Sequence, residues 1–488
     1  MPELTPLDLT AMPPMIDWDK IIRETTTTPT LQVVVNPLLR RGSPIHDRAF
    51  EALRELGADY VRFVPWYPYP HDSIAELYPP ADGKTSWNFA SIDPFTVDFL
   101  EATQGHPVML NFSTIPPWMF KADHVVPYPE DPDQPIWNYQ VGTELRDPTL
   151  KEVSEYFARL VSWYTKGGFT DELGVWHESG HHYKIDYWEV LNEPDFEHDT
   201  TPEMYTERYD AIVSAIRKVN PEMKFVGLSL AMPGLHPDFF EYFLNPKNHQ
   251  AGIPLDMISY HFYAVPAGDE TLDVEQHTYF AQADGFITTV RYIEEIRKRL
   301  SPATQTTANE LGVIRADDLL QFMPGHVAKE IPDAYWNLAG AMYAYVFANL
   351  ARLGIEIAGE SQLVGYPSQF PSVSMVDWNS GAPNARLRVL ELLKNHIAPS
   401  DRVVATVTGG MAPSPFYSAQ AFLAVDGRRK LLLISKRDRP IDLKLPGFGG
   451  AKVTIVDQIT AGRPPRSETL NGENLRLRGF AVAVAELS

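Results

Sequence analysis

Ile185-Asp186-Tyr187-Trp188-Glu189-Val190-Leu191-Asn192-Glu193-Pro194-Asp195 reads as an apolar strand that stops on an acid and a proline. Pro194 cannot donate to a sheet ladder, and it biases the residue before it toward extended backbone. The strand therefore ends at Glu193, with that side chain facing whatever opening lies beyond. Seven further runs of strand length flank it: 31–39, 60–66, 107–113, 224–231, 257–264, 305–313 and 356–365. Near-continuous apolar character is the mark of strands buried on both faces of a parallel sheet.

Helical patterns follow most of these runs. Asp147-Pro148 opens one, with Val153, Phe157, Leu160, Val161 and Tyr164 at helical spacing. Thr201-Pro202-Glu203 supplies a cap, a first-turn proline and an acidic start, ahead of a stripe formed by Tyr205, Tyr209, Ile212, Val213 and Ile216. Other helices are expected near 44–56, 92–104, 285–300, 334–353 and 384–396. Eight strands with intervening helices predict an α/β fold, a (β/α)₈ TIM barrel over 30–399. A doubly wound sheet is the alternative, but the chain has no G-x-G-x-x-G or Walker sequence to support one.

After Pro399 the pattern changes to short alternating strands and turns such as Asp426-Gly427 and Gly449-Gly450. Residues 400–488 read as an appended C-terminal β-sandwich, and residues 1–29 as a segment that pairs with it.

Composition narrows the function. The 488 residues carry 42 Lys+Arg against 63 Asp+Glu, a net charge of −21, which disfavours nucleic acid and anionic lipid as partners. There is no cysteine, so disulfides, thiolate metal sites and cysteine nucleophiles are excluded. No apolar run approaches the ~20 residues of a membrane span. The opening MPELTPLDLT has neither the basic start nor the apolar run of a secretory signal. The compartment stays open, since a cysteine-free chain suits the cytoplasm or a secreted protein freed of its leader.

In a (β/α)₈ barrel, reactive groups project from the C-terminal strand ends. Glu193 stands at the fourth such end and Glu310, in Thr307-Ala308-Asn309-Glu310-Leu311-Gly312, near the seventh. Two carboxyl groups across a barrel mouth are what glycosidic cleavage needs: one protonates the leaving oxygen, the other attacks or stabilises the cationic carbon. Glu189 shares the parity of Glu193 and reads as a supporting charge lower in the barrel. Trp66, Tyr67, Trp118, Trp137, Trp176 and Tyr366 are candidates for stacking on sugar faces, with Trp66 and Trp118 best placed. His177, His181 and His182 match no zinc spacing and read as a loop that shapes the pocket; no metal site is expected.

The Trp188–Asp195 stretch resembles the acid/base motif of clan A glycoside hydrolases, and the chain is most similar to glycoside hydrolase family 39, which contains β-xylosidases and α-L-iduronidases. Arg62 in Tyr60-Val61-Arg62-Phe63, the run Leu255–Tyr263 with its His-x-Tyr pair, and Pro116-Pro117-Trp118-Met119 resemble the family's second, sixth and third strands. The resemblance implies Glu193 as acid/base and Glu310 as nucleophile of a retaining double displacement. It also implies Asn192 on the sugar 2-hydroxyl, Tyr263 or His261 hydrogen-bonded to Glu310, and Arg62 favouring the charge of Glu310. No clear Trp stands on the eighth strand, and Trp378 is the nearest substitute. The expected partner is an oligosaccharide or glycoside, on a β-linked neutral sugar, with no cofactor. A transglycosylase using the same carboxylates and a non-catalytic carbohydrate-binding protein remain as alternatives.

Overall fold

The structure is a computed structural model that describes residues 9–121, 127–137, 142–323, 325–409 and 414–487. Eight parallel strands close into a barrel: β1 (Thr28–Val34), β2 (Val61–Val64), β3 (Val108–Leu110), β4 (Tyr187–Glu189), β5 (Lys224–Leu230), β6 (Met257–Ala264), β7 (Gln305–Val313) and β8 (Ile357–Glu360). Each is paired with its neighbours in chain order, and β8 returns to β1 through Ile357 opposite Thr28. A helix of seven or more residues follows every strand: α1 (His46–Leu56), α2 (Ile92–Ala102), α3 (Lys151–Thr165), α4 (Pro202–Val219), α5 (Pro237–Phe243), α6 (Leu272–Leu300), α7 (Asp333–Leu353) and α8 (Ala385–His396). All eight strands expected from sequence form the barrel.

Local chemistry accounts for the helix ends. Thr201 caps α4, its side chain accepting from Met204 N–H at 3.3 Å, and the Tyr205-to-Ile216 stripe is buried. Asp147 acts differently from expectation. Its carboxylate accepts from Thr149 N and Glu152 N, and Leu150 takes φ 60°, so α3 begins only at Lys151. The helix α6 begins thirteen residues earlier than the patterning suggested, because a buried stripe runs from Tyr279, Phe280 and Ala283 across Gly285 to Phe286 and Ile287. A single helical glycine costs only about 1 kcal/mol, and tertiary burial outweighs it.

Beyond the barrel, a seven-stranded sheet packs against a three-stranded one. Its order is Arg466–Thr469, Lys452–Val456, Val482–Leu487, Arg429–Ser435, Tyr417–Leu423, Arg402–Val407 and Met15–Glu24. The small sheet joins Leu9–Ala11, Ile441–Lys444 and Asn474–Leu477. Between them lies an apolar core that includes Leu431, Leu433, Ile441, Leu443, Val453 and Leu475. The opposite face of the large sheet, through Phe422, Leu432, Ile434 and Val484, continues the barrel's own core. Two stretches of the N-terminal segment thus enter the sandwich, one per sheet; residues 1–8 lie outside the described residues. No helix among the described residues is long and apolar enough to cross a membrane.

Candidate active site

The site is built on Arg62, which rises from β2 into the barrel and is fully buried. A guanidinium has five N–H groups in a fixed fork, and the barrel engages all three nitrogens. Nε donates to Glu189 Oε2 at 2.5 Å, Nη1 to Glu310 Oε1 at 2.5 Å and to Gln32 Oε1 at 2.6 Å, and Nη2 to Asn192 Oδ1 at 2.7 Å and Ser229 Oγ at 3.1 Å. Below it Glu189 is wholly buried and accepts three more hydrogen bonds, from Asn111, Asn309 and Ser259 at 2.5–2.7 Å. Its part is to hold the barrel floor together, as the sequence suggested.

Above this floor stand Glu193 and Glu310. Regular strands point successive side chains to opposite faces, yet Asn192 and Glu193 both face the barrel interior, as do Asn309, which bonds to Glu189, and Glu310 above it. Backbone irregularity makes this possible. Leu191 and Glu193 adopt φ 62° and 41°, just past the end of β4. In β7 the register with β8 jumps from Ala308 to Leu311, and the register with β6 shifts to set His261 beside Glu310. Bulges of this kind re-aim side chains next to functional sites.

The two carboxyl groups differ in environment. Tyr263 Oη donates to Glu310 Oε2 at 2.7 Å, and Arg62 holds Oε1. Burial opposes the charge of Glu310, but His261, Arg62 and Tyr263 together outweigh it and keep this carboxyl below its ordinary range. Glu193 is pushed up, chiefly by burial and also by the nearby charges of Glu310 and Asp195, against a counteracting pull from His261. His261 Nδ1 lies 2.8 Å from Glu193 Oε1 and 3.6 Å from Glu310 Oε2, while Nε2 meets Ser229 Oγ at 3.0 Å. Burial works against a charge on this imidazole, but the two glutamates more than offset it and raise its pKa. Of the two residues expected to hold Glu310, Tyr263 does so; His261 makes its hydrogen bond to Glu193.

Glu193, His261 and Glu310 bring one ligand atom each within 4.8 Å of one another, the kind of cluster that can hold a metal ion. The donor set argues for proton sharing instead: both oxygens of Glu310 already accept from Arg62 and Tyr263, and a guanidinium beside the cluster repels a cation.

The aromatic expectations divide. Trp66 sits at the mouth, its Nε1 donating to Glu197 Oε1 at 2.7 Å. Its ring is 5.5 Å from that of Trp137, which in turn meets Phe322 at 4.9 Å and Phe370 at 5.8 Å. Trp118 is engaged elsewhere, bonded to the Glu76 carbonyl at 2.9 Å and covered by Arg146 at 4.4 Å. Trp176 lies on a hairpin (168–170 with 176–178) within the connection from α3 into β4, away from the loops that leave strand ends. That hairpin also corrects the reading of the histidines as a pocket loop: His177 pairs with Asp171 and His181 with Asp93.

Trp378 does not take the place of a strand-eight tryptophan. It lies in a turn whose Asp377 accepts from Asn379 N, Ser380 N and Ser380 Oγ, and among the described residues no hydrogen bond or ring contact joins it to either carboxyl group. The position after β8 belongs to Ser361, whose Oγ accepts from Gln32 Nε2 at 2.7 Å and Tyr263 Oη at 2.6 Å. Glu197, Ser229, Ser361 and Gln32 were not legible as site residues. Only Glu197 carried a signal, as an acid four residues past Glu193 on the same loop.

The closed parallel barrel thus presents two carboxyl groups at its mouth over a buried arginine. The sequence matches the description "Glycosyl hydrolases family 39" over residues 46–310, more than half of the chain, and the chain belongs to that family. A β-xylosidase from Caldicellulosiruptor saccharolyticus is 28% identical over 212 residues, which cover 43% of this chain and 37% of that protein. The chain thus matches little more than a third of that relative's length. Among solved structures, a glucosidase from Croceicoccus marinus superposes with a TM-score of 0.61 at 17% identity, covering 98% of this chain and 99% of the other. A glycoside hydrolase family 51 arabinofuranosidase from Xanthomonas axonopodis pv. citri gives 0.65 at 12% identity, covering 97% and 99%. At such identities the structural likeness speaks for the fold.

Proposed function

We propose that the protein is a retaining glycosidase of β-linked neutral sugars that works by double displacement. The observation that carries this reading is the placement of Glu193 and Glu310 within one cluster less than 5 Å across, with opposite pKa displacements. Retaining enzymes keep their carboxyl groups about 5–5.5 Å apart, whereas inverting ones leave about 6.5–9.5 Å for a water molecule.

In the first step ionised Glu310 attacks the anomeric carbon while protonated Glu193 delivers its proton to the departing glycosidic oxygen. The bond to the aglycone breaks, and a glycosyl ester forms on Glu310. Glu193, now ionised, takes a proton from water as its oxygen attacks the same carbon, which releases the sugar and restores both carboxyl groups. Asn192 is oriented by Arg62 and Ser229 to meet the 2-hydroxyl. The preference for a neutral sugar draws support from Arg62: its donors are committed within the barrel, leaving no guanidinium for a uronate.

The test is a panel of 4-nitrophenyl glycosides (β-xyloside, β-glucoside, β-galactoside, α-L-arabinosides and α-L-iduronide), with the anomer of the first-formed product read by NMR. Release from a β-glycoside with retained configuration supports the reading. Inversion, or release from the iduronide alone, overturns it.

A further inference from the structure

The two-carboxyl reaction leaves Glu197 unused. It lies on the loop that leaves β4, partly exposed, and its Oε1 accepts from both Trp66 Nε1 (2.7 Å) and Asn192 Nδ2 (2.9 Å). Among the described residues no cation pairs with it and none donates to Oε2. Glu193 and Glu310 both repel its charge, adding to the larger effect of burial, so its pKa stands well above the ordinary range. A neutral carboxyl donates as well as accepts.

Three carboxyl groups crowded into a poorly solvated space keep some of their number protonated, because like charges there disfavour one another. One of them turned to the mouth with an uncommitted oxygen suits a ligand rich in hydroxyl groups. Asn192 fixes the distance at which that ligand must sit. Because Asn192 Nδ2 donates to Glu197 Oε1 at 2.9 Å, a sugar whose C2 hydroxyl meets the Asn192 amide brings the neighbouring C3 hydroxyl up to the Glu197 carboxyl.

We propose that Glu197 is a specificity-determining residue whose Oε1 fixes Trp66 and Asn192 and whose Oε2 binds the C3 hydroxyl of the sugar whose C2 hydroxyl meets Asn192. This inference rests on the glycosidase reading above. It adds a requirement that reading does not contain: the substrate carries a free hydroxyl at C3.

The experiment is a cycle between protein and substrate. The best 4-nitrophenyl glycoside of the panel, its 2-deoxy analogue and its 3-deoxy analogue are assayed with the full chain and with Glu197→Ala. Loss of the 3-hydroxyl lowers kcat/KM of the unaltered protein about 10–100-fold. In Glu197→Ala the parent and 3-deoxy substrates become equal within about threefold, while a 2-deoxy penalty persists because Arg62 and Ser229 still hold Asn192 Oδ1. If the alanine variant melts early, Glu197→Met fills the volume without an acceptor of comparable strength, and the same cycle is read. An undiminished 3-deoxy penalty in these variants overturns the assignment and leaves the glycosidase reading intact. Failure of the unaltered protein to cleave any glycoside in the panel removes both.

Discussion

Arg62 Nη1 and Glu310 Oε1 lie 2.5 Å apart beneath the barrel mouth, while Nε of the same guanidinium holds Glu189. One cation therefore serves two carboxylates at different depths. It lowers the pKa of the upper one and completes the hydrogen bonding of the lower one, so function and stability share a side chain.

Replacing Arg62 with Met should reveal both. Glu189 would remain buried without its cation, a change that costs about 3–5 kcal/mol. A clear fall in the urea midpoint and the loss of turnover are expected together. A midpoint equal to that of the unaltered protein would show that the floor does not depend on this pair.

For Glu310→Ala, turnover of aryl glycosides should drop by about 10³-fold or more. Added azide should then yield a glycosyl azide of inverted configuration, since nothing remains to form the covalent ester. A retained azide in the product NMR spectrum would rule out Glu310 as nucleophile.

Glu193→Gln removes a proton donor, and the loss should depend on the leaving group. Glycosides of acidic phenols should lose less than about tenfold in the first step, and poor leaving groups about 10²–10⁴-fold. Equal losses on both kinds of substrate would contradict the acid/base role.

The pH profile should be a bell, with its acid limb set by Glu310 in ionised form and its alkaline limb by Glu193 in protonated form. His261 lowers the pKa of both groups. Its removal in His261→Gln must therefore raise both, and the whole bell should move to higher pH. Movement to lower pH would mean that the imidazole is not cationic in the free protein.

Trp66 and Trp378 give a paired contrast. Trp66→Phe loses the hydrogen bond to Glu197 and should raise KM several-fold, whereas Trp378→Phe should stay within about threefold of the parent. A strong effect at Trp378 would return it to the pocket.

The barrel strands were legible because burial on both faces writes a local apolar run, and Glu193 because an acid and a proline close such a run, although the strand itself ends at Glu189 and not at Glu193 as expected. Glu310 could be placed by strand position, and Arg62 by its resemblance to the family's second strand. What escaped was set by contacts across the barrel. Ser361 and Gln32 meet Tyr263 and Arg62 only because β8 closes on β1, and Ser229 reaches Asn192 and His261 through positive φ at Leu228 and Ser229. Nothing in the local pattern marks such positions. Trp378, offered as a substitute for a strand-eight tryptophan, lies beyond β8 next to Asp377, whose carboxylate closes a turn onto Ser380. The partner of His261 was ambiguous because its Nδ1 faces both carboxyl groups, and only the geometry shows that Glu193 Oε1, at 2.8 Å against 3.6 Å for Glu310 Oε2, takes the hydrogen bond.

The strand Met15–Glu24 pairs with Arg402–Val407 at the edge of the large sheet. Its partner emerges from the ribosome about 380 residues later, which at roughly 5–20 residues per second is a wait of roughly 20–75 s. During that interval the barrel can assemble while its leading strand hangs unmatched, an exposed edge looking for a mate. The strand Met15–Glu24 is thus made early and secured late, with its edge open throughout that interval.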